Sequence, residues 1–434
     1  MLYKQNRGEK FMAELYDMQE VQERLILVGV ATSEQDDTKE SLEELKELVK
    51  TAGGETVAMV IQNREKPHSG TYLGKGKIEE VALLAVQLQA DGIVCDDELS
   101  PAQLKNLEDA LGLKIMDRTM VILDIFAQHA STREGKIQVE LAQLKYRSSR
   151  LIGMGNVLSR LGGGIGTRGP GEKKLEMDRR LIRDRVSQLG KELEDVVKAR
   201  EVARAARSRN PIPVLAIVGY TNAGKSTLLN YLTNAGVIEE DKLFATLDPT
   251  TRNLVLESGQ QILLTDTVGF VRKLPHHLIE AFRSTLEEAK YADMILHVVD
   301  ASNPDCDKHM HVVYETLRGL GVTDKKVITV FNKQDILREK IVAGELLPEV
   351  QKDLKADETV KLSAKHGEGM EELLSVIEKL LRESKVLFEY VFPYTETSKI
   401  QVIRKYGQLL EEEYREDGTY VKAYLPKEIY MQLM

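Results

Sequence analysis

Short apolar runs alternate with helical patterns along most of the chain. Over residues 24–131, β-rich runs at 25–30, 57–61, 92–95 and 113–116 are separated by stretches at 41–50, 78–89 and 100–111, whose apolar residues recur at helical spacing. That alternation predicts a small α/β domain with a mostly parallel sheet. Ser100 and Pro101 make a good N-cap and first-turn pair for the third helix. A different pattern follows at 132–209. Ile137, Leu141, Leu144, Ser148 and Leu151 step 4-3-4-3, and Ile182, Val186, Leu189, Leu193 and Val196 repeat the step. Two helices with such stripes pack along one seam as a coiled-coil hairpin. Between them, 153–171 (GMGNVLSRLGGGIGTRGPG) holds eight glycines in nineteen residues, which predicts a long loop of the functional kind. Strands and helices alternate again over 211–382. The tail, 386–434, predicts a small α/β or α+β domain with a hairpin through Glu416, Asp417, Gly418 and Thr419.

Charge changes this picture most at the hairpin. The chain of 434 residues carries a net −9, yet residues 133–209 hold 19 Lys/Arg against 10 Asp/Glu. That local excess of +9 leaves about −18 for the rest, an asymmetry that signals a partner. Arg147, Arg150, Arg160, Arg168, Lys173, Lys174, Arg179 and Arg180 crowd the hairpin's distal end and loop. Glycines there permit close approach to a phosphate backbone, and arginines stack on or fork to exposed bases, so RNA is the favoured partner. No apolar run approaches the ~18–20 residues of a bilayer span, and the N-terminal stretch is charged rather than signal-like. Cys95 and Cys306 lie far apart without a CxxC partner, which reads as reduced thiols in a cytoplasmic protein. The eight histidines (68, 129, 276, 277, 297, 309, 311 and 366) lack ligand spacing and read as surface or packing residues. Residues 70–77 (GTYLGKGK) resemble a nucleotide loop but lack a GK[ST] ending, so a phosphate-anion loop is favoured over a second nucleotide site.

The chemistry is concentrated in 211–382. The strand at 213–218 runs into Gly219, Tyr220, Thr221, Asn222, Ala223, Gly224, Lys225 and Ser226, then a helix opening at Thr227. This is G-x-x-x-x-G-K-S in its strand–loop–helix setting, a backbone cradle for phosphates. Lys225 supplies a positive charge to the β/γ-phosphates and Ser226 a magnesium ligand. Asp266, Thr267, Val268 and Gly269 follow an apolar strand; the carboxylate reaches magnesium through water and the Gly269 N–H senses the γ-phosphate. Asn332, Lys333, Gln334 and Asp335 follow a third strand, and Asp335 can accept both hydrogen bonds that guanine offers and adenine lacks. Ser363, Ala364 and Lys365 follow a fourth, in a loop whose Ala364 N–H suits guanine O6. Four such motifs in order, each at a strand's C-terminal end, predict a Ras-like P-loop GTPase domain with a mostly parallel sheet. Between the first two motifs lies FATLDPTTR, where Thr246, Thr250 and Thr251 are each able to reach magnesium as a switch.

Two departures bear on mechanism. Phe270 stands where a water-orienting Gln is expected, so intrinsic hydrolysis should be slow and depend on something else. The Asn222 amide oxygen is placed to help hold a monovalent cation such as K+ beside the phosphates.

With GYTNAGKSTL, LFATLDPTTR, DTVGF, the NKQD and SAK boxes, GPGEKKLE and QVELAQLKYR, the sequence resembles the HflX family of ribosome-associated GTPases over roughly 24–434. The resemblance implies that Thr246 is the magnesium threonine, with Phe244, Ala245, Leu247 and Asp248 lining the same switch. It further implies a cytoplasmic monomer that binds the 50S large ribosomal subunit and its rRNA, splitting or rescuing stalled or idle ribosomes. An assembly role on the large subunit, or less plausibly a tRNA-modification role, are the rival readings.

Overall fold

Buried β-branched and leucine side chains on both faces are what a fully covered parallel sheet requires, and two of the chain's sheets are built on such strands. The computed structural model describes residues 22–32, 37–161, 170–207, 212–233, 243–244, 249–273, 288–345, 352–383 and 385–433. The chain divides into two compact units, 1–99 with 103–118 and 100–102 with 119–434.

In the first unit, β1 (Arg24–Ala31), β2 (Glu55–Asn63), β3 (Gly92–Cys95) and β4 (Lys114–Asp117) form a parallel sheet in the order β2-β1-β3-β4. The helices α1 (Thr38–Thr51), α2 (Lys75–Leu88) and α3 (Pro101–Leu111) alternate with them as the sequence predicts. Ile26, Val28, Val81, Ile93 and Ile115 centre its core. Arg118 is buried at the strands' C-terminal edge. Its guanidinium donates to Asp96 Oδ1 at 2.8 Å, Glu44 Oε1 at 2.6 Å and the Ser41 carbonyl at 2.7 Å. Removing one partner of such a buried pair costs about 3–5 kcal/mol. Both cysteines are free and buried.

The second unit opens with α4 (Arg118–His129), a helix the sequence reading passed over. Its apolar residues are nearly continuous rather than periodic, so the helical signal is weak. The hairpin helices follow: α5 (Arg133–Leu161) and α6 (Pro170–Arg207). The expected loop at 153–171 is thereby corrected. Helix runs through Gly153 and Gly155 to Leu161, and α6 begins at Pro170, a residue suited to the first helical turn because its missing N–H bonds nothing there. Residues 162–169 lie outside the described residues. Along the seam Ile137 and Leu189 are buried and the other leucine, isoleucine and valine positions half-buried. Val139, Ala142 and Tyr146 give α5 a second buried stripe that the heptad count did not predict. Arg185 to Glu140 at 2.8 Å and Arg200 to Glu134 at 2.9 Å tie the two helices together.

Next come β5 (Val214–Gly219), α7 (Lys225–Thr233), β6 (Thr250–Val255), β7 (Gln261–Asp266), β8 (Met294–Asp300), α8 (Cys306–Gly319), β9 (Lys326–Asn332), α9 (Gln334–Val342), β10 (Glu358–Lys361) and α10 (Met370–Glu383). Their sheet runs β10-β9-β8-β5-β7-β6, parallel except for β6 against β7. Leu215, Ile217, Leu228, Leu264, Leu296 and Val330 are fully buried in its core. The chain leaves β5 for β7 on one side and returns for β8 on the other, so β5 is the topological switch point, where open α/β sheets bind ligands.

The tail is an antiparallel sheet β11-β13-β12 with helices at its core side: β11 (Val386–Phe392), α11 (Thr397–Tyr406), β12 (Gln408–Arg415), β13 (Gly418–Leu425) and α12 (Lys427–Leu433). The turn falls where the Asp-Gly signal puts it, between Arg415 and Gly418. Among the described residues no helix is long and apolar enough to cross a membrane.

Candidate nucleotide site

β5 ends at Gly219 and α7 begins at Lys225, so the loop between them faces out of the switch point. Gly224 has φ +93, and a Cβ there would lie 2.2 Å from Asn332 Nδ2. Only glycine combines that left-handed backbone with so close an approach. Asn222 also has positive φ, +58, a conformation asparagine tolerates, and its side chain is exposed. Among the described residues the N–H groups of Asn222 and Gly224 donate to no other group, which leaves them for an anion.

Lys225 is buried, and its Nζ donates to the Tyr220 carbonyl at 2.9 Å. Burial pushes its pKa down to about 8 against the opposing pull of Asp266. Ser226 Oγ donates to Asp266 Oδ2 at 2.7 Å, and Asp266 is buried at the end of β7. A hydroxyl beside a carboxylate is the hard oxygen pair that magnesium takes when phosphates complete its shell, so these residues fit that ion. No group of three or more His, Cys, Asp or Glu able to hold a metal occurs among the described residues.

Thr267 is buried and donates to the Ile217 carbonyl at 2.7 Å, and Val268 is buried beside it. A Cβ on Gly269 would meet Thr221 Cγ2 at 2.7 Å and Lys225 Nζ at 3.0 Å. The segment is therefore pressed against the phosphate loop. Phe270 is 2% exposed, so its ring is a packing group rather than a pocket wall.

Asn332, at the end of β9, joins two loops. Its Nδ2 donates to the Ala223 carbonyl at 2.8 Å, and its Oδ1 accepts the Ala364 N–H at 2.9 Å. The Ala364 N–H assigned to guanine O6 from sequence thus has a protein partner, because the buried amide oxygen needs a donor. Lys333 has φ +62 and lies 2.8 Å from Asp300 Oδ2. Gln334 is half-buried and donates to the Phe331 carbonyl at 3.1 Å. Asp335 Oδ1 accepts the Ser363 hydroxyl at 2.8 Å, and Oδ2 lies 3.5 Å from His366 Nε2. Burial alone would raise this carboxyl, but the Ser363 hydrogen bond, backbone N–H groups and His366 outweigh it and hold the pKa below the usual range. Lys365 is exposed, and Thr227 half-buried on α7.

The first switch divides. Phe244 is buried with φ +58, its ring edge-on to Phe126 of α4 at 4.6 Å between centroids. It is a packing residue here, not a pocket lining. Thr251 Oγ1 is engaged with Thr265 Oγ1 at 3.0 Å, and Thr250 heads β6 opposite Asp266. Ala245, Thr246, Leu247 and Asp248 lie outside the described residues, as do His276 and His277. Of the other histidines, His297 is buried edge-on to Tyr314 and His309 stacks on Tyr220. Sequence reasoning missed Arg272, Asp305 and His309 beside the phosphate loop, since no motif spacing links them.

Over 422 residues the chain is 66% identical to the GTPase HflX of Lacrimispora saccharolytica, covering 97% of this chain and 98% of that one. The chain belongs to the HflX family of GTPases. HflX proteins of Caldanaerobacter subterraneus subsp. tengcongensis and Escherichia coli are 51% and 40% identical, over 94% and 85% of this chain and 92% and 85% of theirs. Residues 39–127, 129–207 and 214–333 match the models described as GTP-binding GTPase N-terminal, GTP-binding GTPase Middle Region and 50S ribosome-binding GTPase. A solved GTP-binding protein of Sulfolobus solfataricus in complex with GDP is 25% identical, over 82% of this chain and 98% of that one, with a TM-score of 0.43. As an HflX GTPase the protein is a GTP hydrolase, and its substrate is GTP.

Gly224→Ala adds a methyl into Asn332 and strains the loop by about 1–2 kcal/mol before any clash is counted. Titration with a fluorescent GDP should show affinity reduced by at least about tenfold.

Proposed function

We propose that this GTPase binds the large ribosomal subunit in its GTP form through the basic α5–α6 hairpin, and that it splits or rescues stalled ribosomes. The observation that carries the reading is the +9 excess of residues 133–209 in a chain of net −9, joined to a domain that matches 50S ribosome-binding GTPases. Internal ion pairs with Glu140 and Glu134 hold Arg185 and Arg200 within the hairpin, without changing that net excess. Arg150 is also withdrawn: it is 9% exposed, with its guanidinium over the Tyr146 ring at 4.0 Å. Arg147 and Arg180 remain exposed on the helices. The rRNA contact therefore rests on these and on the residues toward the tip.

In the GTP site, the free N–H groups of the phosphate loop and Lys225 Nζ receive the β- and γ-phosphates. Gly269 N–H meets the γ-phosphate, and Asp335 accepts guanine's N1–H and exocyclic amine. Ser226, Thr246 and, through water, Asp266 would hold magnesium, which would supply positive charge against the phosphates. With a buried Phe270 in the place of a water-orienting Gln, hydrolysis is slow until ribosome contact completes the site. GTP and the ribosome then each strengthen the binding of the other. The protein acts as a cytoplasmic monomer.

Asn222 can serve a K+ ion beside the phosphates, although its positive φ is a sufficient reason for asparagine there. A faster GTP turnover in K+ than in Na+, lost in Asn222→Ala, supports the ion; equal rates in both salts contradict it.

Light scattering of intact 70S ribosomes mixed with protein and GTP separates splitting from large-subunit assembly: a drop in scattering is expected, and no drop favours assembly. The variant with Arg160, Arg168, Lys173 and Lys174 all replaced by Ala should bind large subunits at least about tenfold more weakly at constant salt. Its GDP affinity should be unchanged. Undiminished co-sedimentation would remove the RNA role of the hairpin tip.

A further inference from the structure

Tyr220 is the second residue of the phosphate loop, yet its side chain turns into the protein. The ring stacks on His309 of α8, with centroids 3.7 Å apart and planes within 6° of parallel. Its hydroxyl accepts the Arg272 N–H at 2.7 Å. The Arg272 side chain is buried and lies 3.3 Å from Asp305, the residue before α8. Asp305 also pairs with Lys308 at 2.9 Å. Backbone bonds close the arrangement: Thr221 N–H donates to the Phe270 carbonyl at 2.8 Å, and Phe270 N–H to the Gly219 carbonyl at 3.1 Å. Burial first, and Arg272 second, push the His309 pKa down to about 4, so a neutral imidazole presents its ring face at neutral pH.

These contacts clamp the chain on both sides of Gly269. The glycine lies between Thr221 and Lys225 Nζ, and among the described residues its N–H donates to no other group. A buried amide without an acceptor is costly, and this one adjoins a buried lysine. The arrangement suits an anion that both groups would share.

We propose that His309, Asp305 and Arg272 are positioning residues for GTP hydrolysis, holding Tyr220 and the segment 269–272 as one rigid bracket that aims the Gly269 N–H at the γ-phosphate of GTP. The proposal rests on the reading that Gly269 meets that phosphate. A donor aimed in advance needs no reorganisation when charge arrives. Ordering that would otherwise oppose GTP binding is already complete. GDP has no γ-phosphate and is indifferent to the bracket. Preference for GTP over GDP is then set in part by residues outside every nucleotide motif.

The test uses the full-length protein without ribosomes, so it does not depend on the ribosomal reading. Affinities for GDP and for the non-hydrolysable imido analogue of GTP, and kcat for GTP, are measured for His309→Ala, Asp305→Ala and His309→Phe. In the two alanine variants the analogue should bind about tenfold more weakly and kcat fall in parallel, while GDP affinity stays within about twofold. His309→Phe keeps a flat ring on Tyr220 and should restore both. An analogue-to-GDP ratio unchanged in both alanine variants would overturn the proposal. Equal losses for analogue and GDP would reduce the cluster to a structural support, and tighter analogue binding would make it a cover over the site; either result also overturns it. In Gly269→Ala, whose methyl would press on Thr221 and Lys225 Nζ, the analogue should lose more affinity than GDP; a variant that binds GDP more weakly but the analogue as the wild type does would remove the Gly269 reading beneath the proposal.

Discussion

Two hydrogen bonds from one buried side chain set the geometry of the site. Asn332 holds the Ala223 carbonyl with its amide nitrogen and the Ala364 N–H with its oxygen. The phosphate loop and the Ser363–Lys365 loop come from opposite ends of the domain's sequence, and this amide fixes their separation. Replacing it would orphan a buried carbonyl and a buried N–H together, each at about 1–3 kcal/mol. The constraint propagates. Gly224 must lack a side chain because Asn332 Nδ2 occupies that space, and Ser363 reaches Asp335 only because its loop is pinned next to β9.

The parallel sheet makes this possible. β5, β7, β9 and β10 all end on one edge, so four short motifs far apart in sequence converge without long loops. β5 stands at the switch point, and the loop after it meets two neighbouring strands' ends. The bracket of Tyr220, Arg272, Asp305 and His309 adds a second fixation, from α8, to a segment that in sequence carries only DTVGF.

Much of this was legible in the chain itself. Strand runs such as 92–95 and 213–218 fall within one residue of where apolar spacing puts them, and the helix after the phosphate loop opens at Lys225, two residues before Thr227. Side-chain partners were not legible. The Ala364 N–H looks available for a base until Asn332 is seen to take it, and Arg150 counts as surface charge until Tyr146 is seen beneath it. Phe244 belongs to a motif, yet its ring is spent on Phe126 of α4, a helix without a clean period. Glycines suggested a loop across 153–171, but the stretch between Gly155 and Gly162 lacks any and continues α5 to Leu161. In each case a local rule was overridden by a long-range contact or by the neighbouring residues.

In the proposed function, the strand edge built on Asn332 presents Asp335 to guanine. Asp335→Asn replaces an acceptor by an amide that can donate to the 2-oxo group of xanthine. Affinities for GTP and for xanthosine triphosphate, measured side by side in the wild type and this variant, test the claim directly. In the variant, GTP binding should fall by about a hundredfold or more while xanthosine triphosphate binding rises. Undiminished GTP binding in the variant would contradict it.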